Sequence, residues 1–92
     1  MVYLLHFDRR YKHAGHYLGS TCHLEERLAA HSAGRGARLL HVVHDAGITW
    51  RLARTWPGGK AKERQLKKQR GASRYCPICK EEARHAVRHS LS

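Results

Sequence analysis

The sequence predicts a small α+β domain in which an antiparallel three-stranded sheet is flanked by helices. Three observations lead there. Two β-rich segments near the start are joined by too few residues to hold a crossover helix. A third alternating segment lies past the middle of the chain. The stretches between and after these segments carry helical spacing that ends at glycine.

Val2 to Phe7 opens the chain as a strand, with Tyr3, Leu5 and Phe7 alternating against Val2, Leu4 and His6, so that both faces can be partly covered. Asp8 to Gly15 reads as a polar turn and His16 to Ser20 as the second strand of a hairpin. Helix signals begin near Thr21: Glu25 and Glu26 occupy the first turn, Leu24 and Leu28 mark an apolar face, and Gly34 stops it. Ala37 to His44 suits a short helix without excluding a strand, and Asp45-Ala46-Gly47 turns the chain. Ile48 to Trp56 alternates Ile48, Trp50 and Leu52 with Thr49, Arg51 and Ala53, the clearest strand pattern present. Pro57-Gly58-Gly59 breaks it, and Lys60 to Arg70 reads as a polar helix. The order is β-β-α-α-β-α. Residues 1–74 form the expected domain, and residues 75–92 a cysteine- and histidine-containing helical tail.

Ninety-two residues make one domain near the lower end of what a single core supports. The longest apolar run is far too short to cross a bilayer, and the start lacks the basic-then-apolar layout of a signal peptide. The expectation is a cytoplasmic protein without membrane attachment. Three cysteines, an odd number, argue against a secreted disulfide framework. The net charge of +11 is uneven: residues 60–92 hold ten of the eighteen lysines and arginines and three of the seven acidic residues. Such an excess favours a nucleic acid, because each cation set against a phosphate releases condensed counterions.

Certain residue types point further, to phosphodiester chemistry. Tyr3 and Tyr17 carry hydroxyls suited to proton transfer, Arg27 a planar fork for phosphate oxygens, and Glu63 a hard donor for a divalent cation. Each also has an ordinary reading. The tyrosines are common strand aromatics, Arg27 and His31 could form a solvated helix face, and Glu63 with Lys67 is a helix-stabilising pair four residues apart.

Together, Val2-Tyr3, Tyr17-Leu18-Gly19, Arg27 eight positions after that glycine, His31 and Glu63 resemble the GIY-YIG nuclease family over roughly residues 1–75. Met1-Val2 stands in place of the family's glycine-isoleucine, and the link between the tyrosine motifs is a few residues longer than usual. The resemblance implies the family's three-stranded sheet and a DNA endonuclease dependent on Mg²⁺ or Mn²⁺. Tyr3 would then activate the attacking water, with Tyr17 positioning it or sharing the proton. Arg27 would clamp the phosphate, and Glu63 would hold the metal. His31 would orient the water, contact phosphate, or fill space beside Tyr17. A phenol has a pKa of about 10, so a nearby cation is expected to favour ionised Tyr3 if it is the base. The alternatives are a basic nucleic-acid-binding module with weak or no cleavage, and a nuclease acting on RNA.

Arg35 and Arg38 flank glycines that let backbone approach a phosphate, although a helix cap explains the glycines equally well. Lys60, Lys62, Arg64, Lys67, Lys68 and Arg70 form a basic strip around Glu63, suited to tracking a DNA backbone. The chain shows no separate DNA-reading domain, so targeting falls to a partner protein, self-association or DNA shape. In the tail, Cys76-Pro77-Ile78-Cys79 has the spacing that lets two thiolates reach one zinc ion, and His85 with His89 could complete the site. Cys22 reads as a small buried residue at a helix start.

Overall fold

The computed structural model describes residues 1–69 and 72–82. Strand β1 (Val2–Tyr11) lies at its centre, pairing antiparallel with β2 (Ala14–Ser20) on one side and β3 (Trp50–Trp56) on the other. The described residues thus form a small α+β fold around a three-stranded antiparallel sheet. Alternation along β1 divides the core in two. Tyr3, Leu5 and Phe7 pack with Leu40, Val43 and Ile48 on one face. Val2 and Leu4 pack with Trp56, Leu66 and Cys76 on the other. The first face is covered by α1 (Leu24–Ser32) and α2 (Arg38–Asp45). The second is covered by α3 (Lys60–Lys68), α4 (Ala72–Tyr75) and residues of the helical stretch 77–82.

Several expectations need correction. The segment Asp8 to Gly15 is not a polar turn: β1 continues to Tyr11 and only Lys12-His13 connects the strands, with Lys12 at φ 55°. The polar residues extend the strand because β3 satisfies them. The Asp8 N–H donates to the Thr49 carbonyl at 2.9 Å, and the Asp8 carboxylate accepts from the Thr49 hydroxyl and, at 3.0 Å, from Arg51 Nε. The extra length of the link between the tyrosine motifs is taken up by a slip in register. Pairing is regular from Val2↔Ser20 to His6↔His16 and resumes at Tyr11↔Ala14, so Phe7 to Arg10 stand opposite Gly15 alone.

In β3 the simple alternation fails at Ala53. Leu4 pairs with Arg54 but Leu5 with Leu52, a one-residue bulge that exchanges the faces of the residues after it. Trp50 therefore packs on the α1–α2 side and Trp56 on the α3 side, while Leu52, two residues from Trp50, is exposed. Ala37 to His44, open between helix and strand, is mostly helix α2. Helix α1 starts at Leu24 rather than Thr21, because the Thr21 side chain accepts the His23 N–H at 3.0 Å and holds a turn there. Cys22 lies in that turn and is exposed, not buried.

The described part of the tail lies against the sheet. Cys76 is fully buried, Tyr75 stacks edge-on against Trp56 with ring centroids 6.0 Å apart, and Ile78 joins the same apolar cluster. No helix among the described residues is long and apolar enough to cross a membrane.

Helix α3 is strongly basic, and Leu66 is its one buried residue. Leu66→Ala is expected to cost about 2–5 kcal/mol, read by urea denaturation, through lost burial and the cavity left behind. Leu52→Ala, at an exposed position, should stay within about 0.5 kcal/mol of the parent. Equal losses at the two positions would contradict the packing of α3.

Candidate functional site

Gly34 ends helix α1 in the left-handed conformation at φ 78°. Its N–H returns to the His31 carbonyl at 3.0 Å, while the Arg35 N–H returns to Ala30 at 2.8 Å. This paired closure is the Schellman motif, and it makes the glycine of Gly34-Arg35-Gly36 a helix cap. It has a second effect, because it turns the Arg35 carbonyl back towards the buried His31 ring. His31 Nδ1 and that carbonyl are 2.9 Å apart. A carbonyl can only accept, so Nδ1 carries the proton and Nε2 is bare. Nε2 lies 2.7 Å from the Tyr3 hydroxyl, which therefore donates to it.

Three of the expected residues thus meet directly. The ring centroid of Tyr17 is 6.1 Å from that of Tyr3 and 5.3 Å from that of His31, closing an aromatic triangle on the α1–α2 side of the sheet. The positions follow from register, since Tyr17 sits opposite Leu5 and Gly19 opposite Tyr3. A Cβ on Gly19 would come 2.6 Å from the Tyr3 hydroxyl and 2.9 Å from Tyr17 Cε1, so only glycine lets the backbone pass over the phenol. Gly36 plays the same part at His31, where a Cβ would lie 3.0 Å from the ring.

Charge surrounds the triangle. Burial pushes the Tyr3 phenol well above its ordinary value, Tyr17 adds to the rise, and Arg27 pulls only partly the other way. The expectation that a cation holds Tyr3 ionised is therefore reversed, because desolvation outweighs the guanidinium. Burial likewise lowers His31 below 6.5, with the Arg35 carbonyl opposing and Arg27 adding to the fall, which favours the neutral ring.

Glu63 reaches this end of the sheet from α3. Its Oε2 accepts from the Ser20 hydroxyl at 3.0 Å and its Oε1 pairs with Lys67 at 3.2 Å, leaving its side chain 19% exposed. Lys60, Arg64, Lys67 and Lys68 line an open groove of about 480 Å³ beside it. Lys62 is half-buried, whereas Arg35 and Arg38 are exposed near the other end of α1. Arg70 lies outside the described residues.

The expected zinc ligands are described only in part. His85 and His89 lie outside the described residues, and Cys76 and Cys79 meet two histidines of the hairpin instead. Cys79 Sγ is 3.2 Å from His16 Nε2 and 3.5 Å from His6 Nδ1, and Cys76 Sγ is 3.4 Å from His6 Nδ1. The donor atoms of His6, His16, Cys76 and Cys79 all lie within 4.8 Å of one another, so these four residues can hold a metal ion. Burial and the neighbouring Cys76 push the Cys79 thiol up to about 11, and burial pulls His16 down. Sequence spacing could not find the two histidines, which stand sixty or more residues from the cysteines; the cross-strand pairing of His6 with His16 was the available signal.

Gly19→Ala is expected to lower stability by about 1–3 kcal/mol in urea titration, because the new methyl must displace Tyr3 or Tyr17. An unchanged midpoint would show that the phenol does not lie under this strand.

No protein-family model, curated protein or solved structure matches the chain, and its likeness to the GIY-YIG family rests on its residues alone.

Proposed function

We propose that this protein is a GIY-YIG-type endonuclease that hydrolyses DNA phosphodiesters with a divalent metal. The observation that carries the reading is the hydrogen-bonded line from Tyr3 through His31 to the Arg35 carbonyl, with Tyr17 beside it. A neutral, buried phenol is a poor base by itself. As a relay it needs no ionisation: Tyr3 takes a proton from water while passing its own to His31 Nε2, leaving an imidazolium stabilised by the Arg35 carbonyl. Tyr17 positions the water. The hydroxide attacks phosphorus, the bond to the 3′ oxygen breaks, and that oxygen takes a proton from solvent. Arg27 gathers the non-bridging oxygens as negative charge builds on them.

Glu63 fits a hard cation, being a partly exposed carboxylate beside a hydroxyl rather than a thiolate or imidazole. It would hold Mg²⁺ or Mn²⁺ with water and substrate oxygens as the other ligands, and such an ion supplies positive charge for the leaving oxygen. Lys67 then transfers from Glu63 to a DNA phosphate. The rest of the basic groove, with Arg35 and Arg38, contacts the backbone without reading bases. Targeting comes from a partner or from self-association.

Plasmid nicking with added Mg²⁺ and an EDTA control tests the activity, and matched DNA and RNA duplexes test the substrate. Glu63→Ala should abolish nicking while leaving DNA binding intact or tighter, since it removes a negative charge from a basic groove. Parental turnover in that variant would overturn the metal assignment.

The pH profile tests the relay. Turnover requires neutral His31, whose pKa is held below 6.5. Cleavage should therefore persist as pH falls through 6.5 and decline only below it, as the ring protonates. His31→Gln should lose that acidic limb together with most of the rate; the same limb surviving in the variant would remove His31 from the proton path.

A further inference from the structure

The second cluster lies on the opposite face of the sheet from the tyrosines. We propose that His6, His16, Cys76 and Cys79 form a closed structural zinc site that fastens the segment after α4 to the β1–β2 hairpin.

The donor separations suit a tetrahedral site. Zinc bonds of about 2.3 Å to sulfur and about 2.05 Å to nitrogen place neighbouring sulfur and nitrogen donors about 3.6 Å apart. Three of the sulfur–nitrogen separations are 3.2, 3.4 and 3.5 Å, within a few tenths of an ångström of that value, and all the donor atoms lie within 4.8 Å of one another. Two imidazoles and two thiolates are a donor set that selects zinc over magnesium or calcium. The Cys79 N–H points at Cys76 Sγ at 3.4 Å, folding the Cys-Pro-Ile-Cys loop so that both sulfurs face one point.

The surroundings are built for a ligand as well. His6 turns Nδ1 towards the sulfurs and Nε2 towards Glu82 Oε1 at 3.6 Å. A carboxylate behind a ligating histidine fixes its tautomer and raises its basicity. Glu82 is in turn held 3.5 Å from Arg51 Nη2, and Arg51 Nε by Asp8 at 3.0 Å. Four protein donors, with Cys76 fully buried and His6 only 7% exposed, leave no position for substrate. The ion would act by cross-linking, joining residues sixty or more positions apart. On binding, each thiol gives up its proton to solvent and both histidines remain neutral.

Zinc content and Co²⁺ substitution of the full chain, purified without chelator, test this. About one zinc per chain is expected, and Co²⁺ should give the visible bands of a tetrahedral thiolate–imidazole site. His16→Ala and Cys79→Ser should each weaken metal binding at least ~10-fold, and Glu82→Gln by about 10-fold or more. The double variant His85→Ala, His89→Ala should keep full stoichiometry and affinity. A chain that binds no zinc, or one that needs His85 and His89 while His16→Ala binds normally, would overturn the site. Histidine modification by diethyl pyrocarbonate in the parental protein reads the same question without any variant. Added Zn²⁺ should protect His16, whereas protection of His85 and His89 with His16 still reactive would overturn the assignment. Nuclease activity enters none of these readouts, so they stand or fall independently of the proposed cleavage.

Discussion

Burial of strand β1 on both faces is the constraint on which the rest of the structure depends. Val2 to Phe7 offers side chains of similar apolar weight to either side, and helices cover both. In a chain this short, one doubly covered strand allows two small apolar clusters to share a single backbone. The same alternation separates the chemistry. Tyr3 faces α1 and His31, whereas His6, three residues on, faces the opposite side with Cys76 and Cys79. A one-residue slip of β1 would exchange the two sets and destroy both. Irregularities in pairing lie outside that stretch of β1 or in its partner, at Phe7 to Arg10 towards the hairpin end of β1 and at Ala53 in β3.

The aromatic triangle shows how a helix end can set protonation. Gly34 permits the left-handed turn, the turn aims the Arg35 carbonyl, and the carbonyl selects the His31 tautomer. The tautomer decides that Tyr3 donates rather than accepts. Desolvation then keeps both groups neutral, against what a count of nearby charges suggests. In the proposed reaction this neutrality is useful, since a proton can pass through the pair without first creating a buried phenolate.

Charge has a different distribution from the apolar core. Helix α3 rests on the sheet through Leu66 and exposes most of its lysines, so its basic groove is a surface property set by composition. Glu63 is the acidic exception on this helix, held between Ser20 and Lys67 at the edge of β2. Cations on the same helix surround this carboxylate. The same cations would draw a phosphate backbone alongside it.

Local signals in the sequence determined much of this. Alternation in Val2 to Phe7, the leucine spacing around Leu24 and Leu28, and glycines at 34 and 47 pointed to the first three elements and left Ala37 to His44 open between helix and strand, because pattern and capping act within a few residues. Tyr3, Tyr17 and His31 were grouped through the motifs that resemble the GIY-YIG family, each of them having an ordinary packing role when taken singly. Tertiary structure decided what depends on distant partners. Asp8 to Tyr11 extended the strand because Thr49 and Arg51 satisfied Asp8. Trp56 packed on the face opposite Trp50 because a bulge at Ala53 reversed the pleat. Burial, which no linear pattern measures, reversed the expected ionisation of Tyr3. The partners of Cys76 and Cys79 came from His6 and His16 for the same reason: cross-strand pairing and the return of the chain over the sheet join residues that sequence spacing keeps sixty or more positions apart.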